Sequence, residues 1–168
     1  MQERHMRSGN VLHTEIGPGT LTPPRYPDAR IALETQHANM VQRRFVIVID
    51  DSPTVCKIVE TCLGREGFEV KSFPDGVEAI RWLAGPERCI PALVILDINL
   101  PKMDGYEVAR RFKTNPWLKE TVVVMLTRRD GVIDRLKSRL VGAKEYLVKP
   151  FKTQEILAVV ESYLGVPL

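Results

Sequence analysis

Long apolar runs are missing from this chain of 168 residues, and no segment approaches the length that a membrane span needs. The N-terminus also lacks the charged start and apolar stretch of a secretory signal. We therefore expect a cytoplasmic protein with no membrane insertion. The formal charge is only +3, from 24 basic and 21 acidic residues. This charge is too small and too dispersed to indicate nucleic-acid binding.

Cysteine and histidine are scarce, with three of each. Cys56, Cys62 and Cys89 show neither metal-ligand spacing nor a Cys-x-x-Cys pair, which suits a reducing compartment. We expect at least Cys62 to be a buried packing residue. The three histidines lie in the N-terminal stretch, scattered too widely for a metal site.

The chain divides into two parts by composition. Residues 1–43 contain four prolines and three glycines without a sustained apolar period, which predicts a flexible arm. Residues 44–168 are expected to form one domain, since the hydrophobic content of 44% is ample for a single core. Within that part, five apolar runs alternate with five helical patterns, which predicts an α/β fold with a parallel sheet.

The predicted sheet is doubly wound and flavodoxin-like, with strand order 2-1-3-4-5. Residues 68–73 alternate apolar and polar side chains, which indicates an edge strand. The first helix is predicted to begin after Ser52 as N-cap and Pro53 as first helical residue. Apolar repeats predict the inward faces of the first helix, at Val55, Ile58, Val59, Cys62 and Leu63, and of the fourth, at Ile133, Leu136, Leu140 and Val141.

Polar residues follow four of the five apolar runs. They are the pair Asp50-Asp51, then Asp97, Thr127 and Lys149. In a parallel sheet these strand ends lie side by side, so three carboxylates would crowd together beside an ammonium and a hydroxyl. Such crowding requires a cation and indicates phosphate chemistry. Taken alone, Asp50-Asp51 would be an ordinary acidic pair at the start of a helix.

These motifs together resemble the receiver domain of two-component response regulators. The resemblance rests on Asp50-Asp51-Ser52-Pro53, the stretch from Asp97 to Gly105, Thr127, and Lys149-Pro150-Phe151, in order and at spacings typical of that family. It implies that Asp97 is the phosphoacceptor, assisted by Thr127 and Lys149. It also implies a cis Lys149–Pro150 bond.

The resemblance implies a magnesium site and a conformational switch as well. Asp50, Asp51, Asp97 and the backbone carbonyl of Asn99 would hold Mg²⁺, while Thr127 and Tyr146 would act as switch residues. The phosphoryl donor would be a sensor histidine kinase. A protein target would bind the face formed by the fourth helix, fifth strand and fifth helix. Chemistry would be limited to self-phosphorylation and self-dephosphorylation, so the protein would not be a conventional enzyme.

Two features bear on the subclass. The stretch from Arg129 to Leu147 is similar to single-domain receivers of twitching-motility and phototaxis systems, and we expect a stand-alone receiver because nothing follows the fifth helix. The family mostly has a small residue after the switch threonine, whereas this chain has Arg128. We expect this long side chain to alter the access of water to an acyl phosphate. A basic region predicts either an acidic partner or a solvated helix face; it comprises Arg128, Arg129, Arg135, Lys137, Arg139 and Lys144.

Three alternatives keep a related fold. A flavodoxin-like mononucleotide-binding protein would need a glycine- and hydroxyl-rich phosphate loop after the first strand, which Asp51-Ser52-Pro53-Thr54 does not provide. A haloacid-dehalogenase-type phosphatase would need a second acid two residues after Asp50, where Ser52 stands. The third alternative is a scaffold receiver that is never phosphorylated.

Overall fold

The computed structural model describes residues 41–86, 89–128 and 131–165. The elements, in chain order, are β1 Val41–Ile49, α1 Pro53–Arg65, β2 Glu69–Phe73, α2 Gly76–Leu83, β3 Ile90–Asp97, α3 Gly105–Thr114, β4 Val122–Thr127, α4 Val132–Leu140, β5 Glu145–Val148 and α5 Thr153–Leu164. β1 begins at Val41, three residues before the predicted start of the domain. The rest of the predicted arm lies outside the described residues, so the arm stays a prediction.

The five strands form one parallel sheet in the order β2-β1-β3-β4-β5. This confirms the predicted doubly wound sheet and the edge position of β2. Buried side chains form one cluster on each face of the sheet, because the strands alternate their side chains between two helix layers. Across the part of the chain that the structure describes, none of the helices is long and apolar enough to cross a membrane.

Helix α1 begins as predicted and differs in the face that it buries. The Ser52 side chain accepts a hydrogen bond from the Val55 amide, and Pro53 is the first helical residue. Its buried residues are Cys56, Val59 and Leu63. The predicted inward positions Ile58 and Cys62 are exposed and half-buried respectively. The helix is rotated about its axis relative to the predicted stripe, so Cys56 faces the sheet in place of Cys62.

Helix α4 contradicts its predicted inward face. Leu136 is 55% exposed and Leu140 is 86% exposed, whereas Ser138 is buried. Successive helical residues are about 100° apart, so residues two positions away from Ser138 lie on the far side of the helix. Val141 packs partly against the core, as predicted. The Ile133 side chain lies outside the described residues.

Helix α2 is capped by a buried aspartate. One carboxylate oxygen of Asp75, Oδ1, accepts the Glu78 amide at 2.9 Å, and the other, Oδ2, forms an ion pair with the Lys102 ammonium. The hydrogen bond from Lys102, followed by that from the Glu78 amide, lowers the pKa of Asp75 below its usual value of 3.8. The cap therefore favours the charged carboxylate in the folded state.

This cap predicts a pH-dependent stability difference. Since the pKa of Asp75 is lower in the folded than in the unfolded state, its stabilisation is present above pH 3.8 and is lost as the pH falls through the folded value. Asp75→Ala is expected to lose about 1 kcal/mol at pH 7. Asp75→Asn keeps a capping side chain without charge, so its deficit should shrink as the pH falls below 3.8. Urea unfolding of both variants over a pH series measures these losses of stability. If the stability difference between Asp75→Asn and the wild type did not change with pH, the role of the charge would be contradicted.

Candidate functional site

The polar strand-end residues predicted to converge do so at the carboxyl edge of the sheet. Asp50 directly follows β1, Asp97 ends β3, Thr127 ends β4 and Lys149 directly follows β5. Asp50, Asp97 and Thr127 are buried. The two central strands β1 and β3 are neighbours, so Asp50 and Asp97 lie at the point where the strand order reverses.

Three carboxylates form a compact cluster at this edge. Oxygen atoms of Asp50, Asp51 and Asp97 lie within 4.8 Å of one another, with Asp50 and Asp97 buried and Asp51 exposed. An all-oxygen donor set open on one side fits a hard cation such as Mg²⁺, which keeps several of its waters. The residues present therefore fit the predicted magnesium site.

Lys149 joins the two buried carboxylates. Its Nζ lies 2.5 Å from Asp50 Oδ2 and 3.0 Å from Asp97 Oδ2, and its side chain is 10% exposed. The Lys149–Pro150 peptide bond is cis, as expected from the sequence. The Lys149 amide donates to the Thr127 carbonyl at 2.6 Å, which ties the end of β5 to the end of β4. The lysine thus places a positive charge between two buried acids.

The other carboxylate oxygens of Asp50 and Asp97 accept hydrogen bonds from backbone amides two residues further along the chain. Asp50 Oδ1 accepts the Ser52 amide at 2.9 Å, and Asp97 Oδ1 accepts the Asn99 amide at 3.2 Å. Burial raises the pKa of Asp50, while the hydrogen bonds from Lys149 and the Ser52 amide oppose that rise. A second cation would oppose it further. The ligand role of the Asn99 carbonyl stays a prediction.

The predicted switch residues occupy different environments. Thr127 is buried at the end of β4, while Tyr146 is half-buried in β5 and packs against the core. The Arg135 guanidinium of α4 lies over the Tyr146 ring, 5.6 Å from its centroid. Arg128 is exposed next to Thr127, and its effect on access stays a prediction. The contact between Arg135 and Tyr146 joins α4 to β5, and nothing in the sequence pattern indicated it.

Gly105 allows α3 to approach the end of β3. A side chain at this position would overlap the Asp97 carbonyl oxygen and would place its Cβ 2.8 Å from the Ile98 Cα. The Gly105 amide donates to the Ile98 carbonyl at 3.0 Å. Asp104 caps α3 by accepting the Glu107 amide at 2.8 Å. Asp104 and Gly105 therefore fix the backbone beside Asp97. Asp104 is not a member of the carboxylate cluster.

Comparison with known proteins agrees with this geometry. Residues 46–161 match the response regulator receiver domain family. Protein PilG of Pseudomonas aeruginosa is 37% identical over 119 residues, covering 71% of this chain and 86% of that protein. The chemotaxis protein CheY4 of Vibrio cholerae superposes with a TM-score of 0.65 at 28% identity, covering 71% of this chain and 97% of the CheY4 chain.

A third comparison concerns the metal. The receiver domain of the sensor histidine kinase PA1611 from Pseudomonas aeruginosa has a magnesium ion coordinated in its active-site cleft. It superposes with a TM-score of 0.64 at 26% identity, covering 73% of this chain and 98% of that one.

The chain belongs to the response regulator receiver family. It has the CheY-like fold, and it is a homologue of PilG. Receiver domains are signalling phosphoacceptors that take phosphoryl groups from histidine kinases and bind Mg²⁺ at an acidic pocket. The aspartate cluster of this chain is consistent with such a pocket.

Proposed function

We propose that this protein is a response regulator that accepts a phosphoryl group from a sensor histidine kinase onto Asp97, with Mg²⁺. The observation that carries the proposal is the placement of Lys149 Nζ 3.0 Å from a fully buried Asp97, inside a cluster of three carboxylates. One ammonium cannot balance three carboxylates, so a purely structural ion pair does not account for the cluster. We also propose a cytoplasmic location and a motility pathway, the latter supported by the similarity to PilG.

The transfer is an in-line displacement at phosphorus. A carboxylate oxygen of Asp97 forms the new P–O bond while the P–N bond to the kinase imidazole breaks, and the leaving nitrogen retains the electron pair. The Lys149 ammonium neutralises charge on the phosphoryl oxygens. Bound Mg²⁺, held by Asp50, Asp51, Asp97 and the Asn99 carbonyl, would supply further neutralisation. The Thr127 hydroxyl would donate to a phosphoryl oxygen.

The output surface that we propose is formed by α4, β5 and α5. Movement of Thr127 toward the phosphoryl group would vacate space for the Tyr146 ring, and the Arg135 contact would transmit that movement to α4. Leu136 and Leu140 are exposed on this helix among basic side chains. A target that offers acidic and apolar side chains fits this surface, and its binding would weaken with salt.

Phosphorylation from a small donor tests the function directly. Incubation with acetyl phosphate and Mg²⁺ should add the mass of one phosphoryl group to the wild-type protein, as measured by intact-mass spectrometry. Asp97→Asn should lose this adduct, because an amide cannot form the acyl phosphate. Removal of Mg²⁺ with a chelator should slow the reaction by at least about 100-fold, the order expected when charge stabilisation is removed.

The control is Glu120→Gln, which neutralises an exposed acid. This variant should be phosphorylated at the wild-type rate. Absence of an adduct on the wild-type protein, together with no response to beryllofluoride and Mg²⁺, would refute the proposal and favour the scaffold alternative. An adduct that persists in Asp97→Asn would place the phosphoryl group elsewhere.

A further inference from the structure

A charged contact links two loops beside the site. Asp75, in the turn between β2 and α2, binds the Lys102 ammonium, which belongs to the loop between β3 and α3. We call residues 98–104 the β3–α3 loop. Asp75 is 3% exposed in this pair and Lys102 is 60% exposed. The carboxylate is thus fixed within the fold, whereas the lysine reaches it from a surface loop.

Asp75 is connected to the first metal-binding acid through the backbone. The Asp50 amide donates to the Phe73 carbonyl at 3.1 Å, two residues before Asp75. Asp75 itself is anchored at α2, where its Oδ1 accepts the Glu78 amide. The position of Asp75 is therefore set by the same backbone segment that contacts Asp50.

Lys102 is connected to the phosphoacceptor side of the site. It lies in the loop that carries Asn99, whose amide donates to Asp97 Oδ1 at 3.2 Å. The loop packs directly on α2, because Met103 lies 3.7 Å from the position that a Gly76 Cβ would occupy. The Lys102 ammonium therefore attaches the loop that carries Asn99 to the cap of α2.

The backbone at Lys102 has an unusual conformation. Its φ is 66°, in the left-handed region, and it is the one non-glycine residue with positive φ among the described residues. This conformation is unfavourable for a residue with a Cβ, because the Cβ approaches the following carbonyl oxygen. Such conformations persist where the surrounding structure holds them in place. The ion pair supplies a contact that holds this one.

We propose that the Asp75–Lys102 ion pair is a positioning clamp, which fixes the β3–α3 loop so that the Asn99 carbonyl and Asp97 face the cation held by Asp50 and Asp51. This inference rests on the proposed function. Neither residue touches the reacting atoms. Their contribution is to keep the loop oriented before the cation and phosphoryl group bind, as supporting residues do for metal ligands generally.

Three substitutions of Lys102 separate the charge from the backbone. Lys102→Met removes the ammonium and keeps the demand for positive φ. Lys102→Arg keeps a cation that can bind Asp75. Lys102→Gly removes the ammonium and also the conformational cost, since glycine adopts positive φ readily. For each variant, the Mg²⁺ dissociation constant is measured by calorimetry and the exchange rate of the Gly105 amide by hydrogen–deuterium exchange without metal.

Lys102→Met and Lys102→Gly should weaken Mg²⁺ binding by about 10-fold. Lys102→Arg should bind Mg²⁺ with an affinity close to that of the wild type. The Gly105 amide, which is bonded to the Ile98 carbonyl, should exchange about 10-fold faster in Lys102→Met, while the amides of β4 stay unchanged. Equal Mg²⁺ affinity in all four proteins would overturn the clamp. The clamp would also be overturned if Lys102→Gly bound Mg²⁺ with wild-type affinity while Lys102→Met bound it weakly. The loss in Lys102→Met would then come from the backbone conformation and not from the missing ion pair.

Failure of the proposed function gives a different result. A wild-type protein that takes up neither Mg²⁺ nor a phosphoryl group would refute the function. The exchange of the Gly105 amide would still report whether Lys102 holds the loop, so the two failures are distinguishable.

Discussion

Lys149→Met is expected to lower the free energy of unfolding of the metal-free protein by about 3–5 kcal/mol. The ammonium is the cation between Asp50 and Asp97, both buried, so its removal leaves two close carboxylates without compensation. Methionine has a similar length and fills the space, which confines the change to the charge. Urea unfolding at pH 7 in the presence of a chelator measures the loss.

The variant should also respond to pH and to metal in a defined direction. Burial already raises the pKa of Asp50, and loss of the lysine removes an interaction that opposed the rise. A carboxyl whose pKa is higher in the folded than in the unfolded state binds its proton more tightly in the folded state, so the fold gains stability as the pH falls. The difference in unfolding free energy between Lys149→Met and the wild type should therefore become smaller at low pH. Mg²⁺ should narrow it at neutral pH, because a bound cation takes the place of the ammonium.

Lys119→Met is the matched control, since Lys119 is exposed. We expect it to change the unfolding free energy by less than about 0.5 kcal/mol. A Lys149→Met protein as stable as this control would show that the two aspartates do not depend on the lysine for their charge balance. In that case the ion pairs would contribute little to holding the site together.

The sheet and its site were predictable because they depend on strand periodicity. In a parallel sheet every strand ends at the same edge, so Asp97 after β3 and Lys149 after β5 lie only two strands apart, within reach of a lysine side chain. The 2-1-3-4-5 order followed from the alternating pattern of β2 and from five βα repeats. The structure confirms both the order and the contact of Lys149 with Asp97.

Side-chain orientation on the helices was less predictable. The apolar spacing of α4 fits an inward face, yet Leu136 and Leu140 point to solvent and Ser138 is buried. A period of 3.6 residues identifies a stripe, but the rotation of the helix against the sheet decides which side of it is covered. Exposed apolar residues and buried cores give the same spacing, so sequence alone could not separate a binding surface from the core.

Contacts between loops could not be predicted for a different reason. Asp75 and Lys102 are distant in sequence and neither belongs to a periodic element, so no pattern indicates that they pair. The pairing depends on how the β3–α3 loop turns, including the positive φ at Lys102. Loop conformations of this kind are set by tertiary packing, which the local sequence does not determine.

Gly105→Ala is expected to destabilise the protein by about 3 kcal/mol and to slow the phosphorylation that we propose for Asp97. The new methyl group would overlap the Asp97 carbonyl oxygen and lie 2.8 Å from the Ile98 Cα. Both neighbours are backbone atoms, so no side-chain rotation relieves the overlap and either α3 or the end of β3 must shift. Overpacking of this kind typically costs about 1–3 kcal/mol, and we expect the upper end because backbone must move.

Gly64→Ala is the matched control because it introduces the same methyl group where there is room. Gly64 lies within α1, and apart from its chain neighbours and the backbone of its own helix no described atom lies within 4 Å of the position that its Cβ would take. Alanine at a helical position should raise the unfolding free energy by about 0.5–1 kcal/mol. Urea unfolding and acetyl phosphate labelling of both variants provide the comparison. A Gly105→Ala protein with wild-type stability and labelling rate would mean that the end of β3 can move without cost, and that Asp97 is not held by close packing of α3.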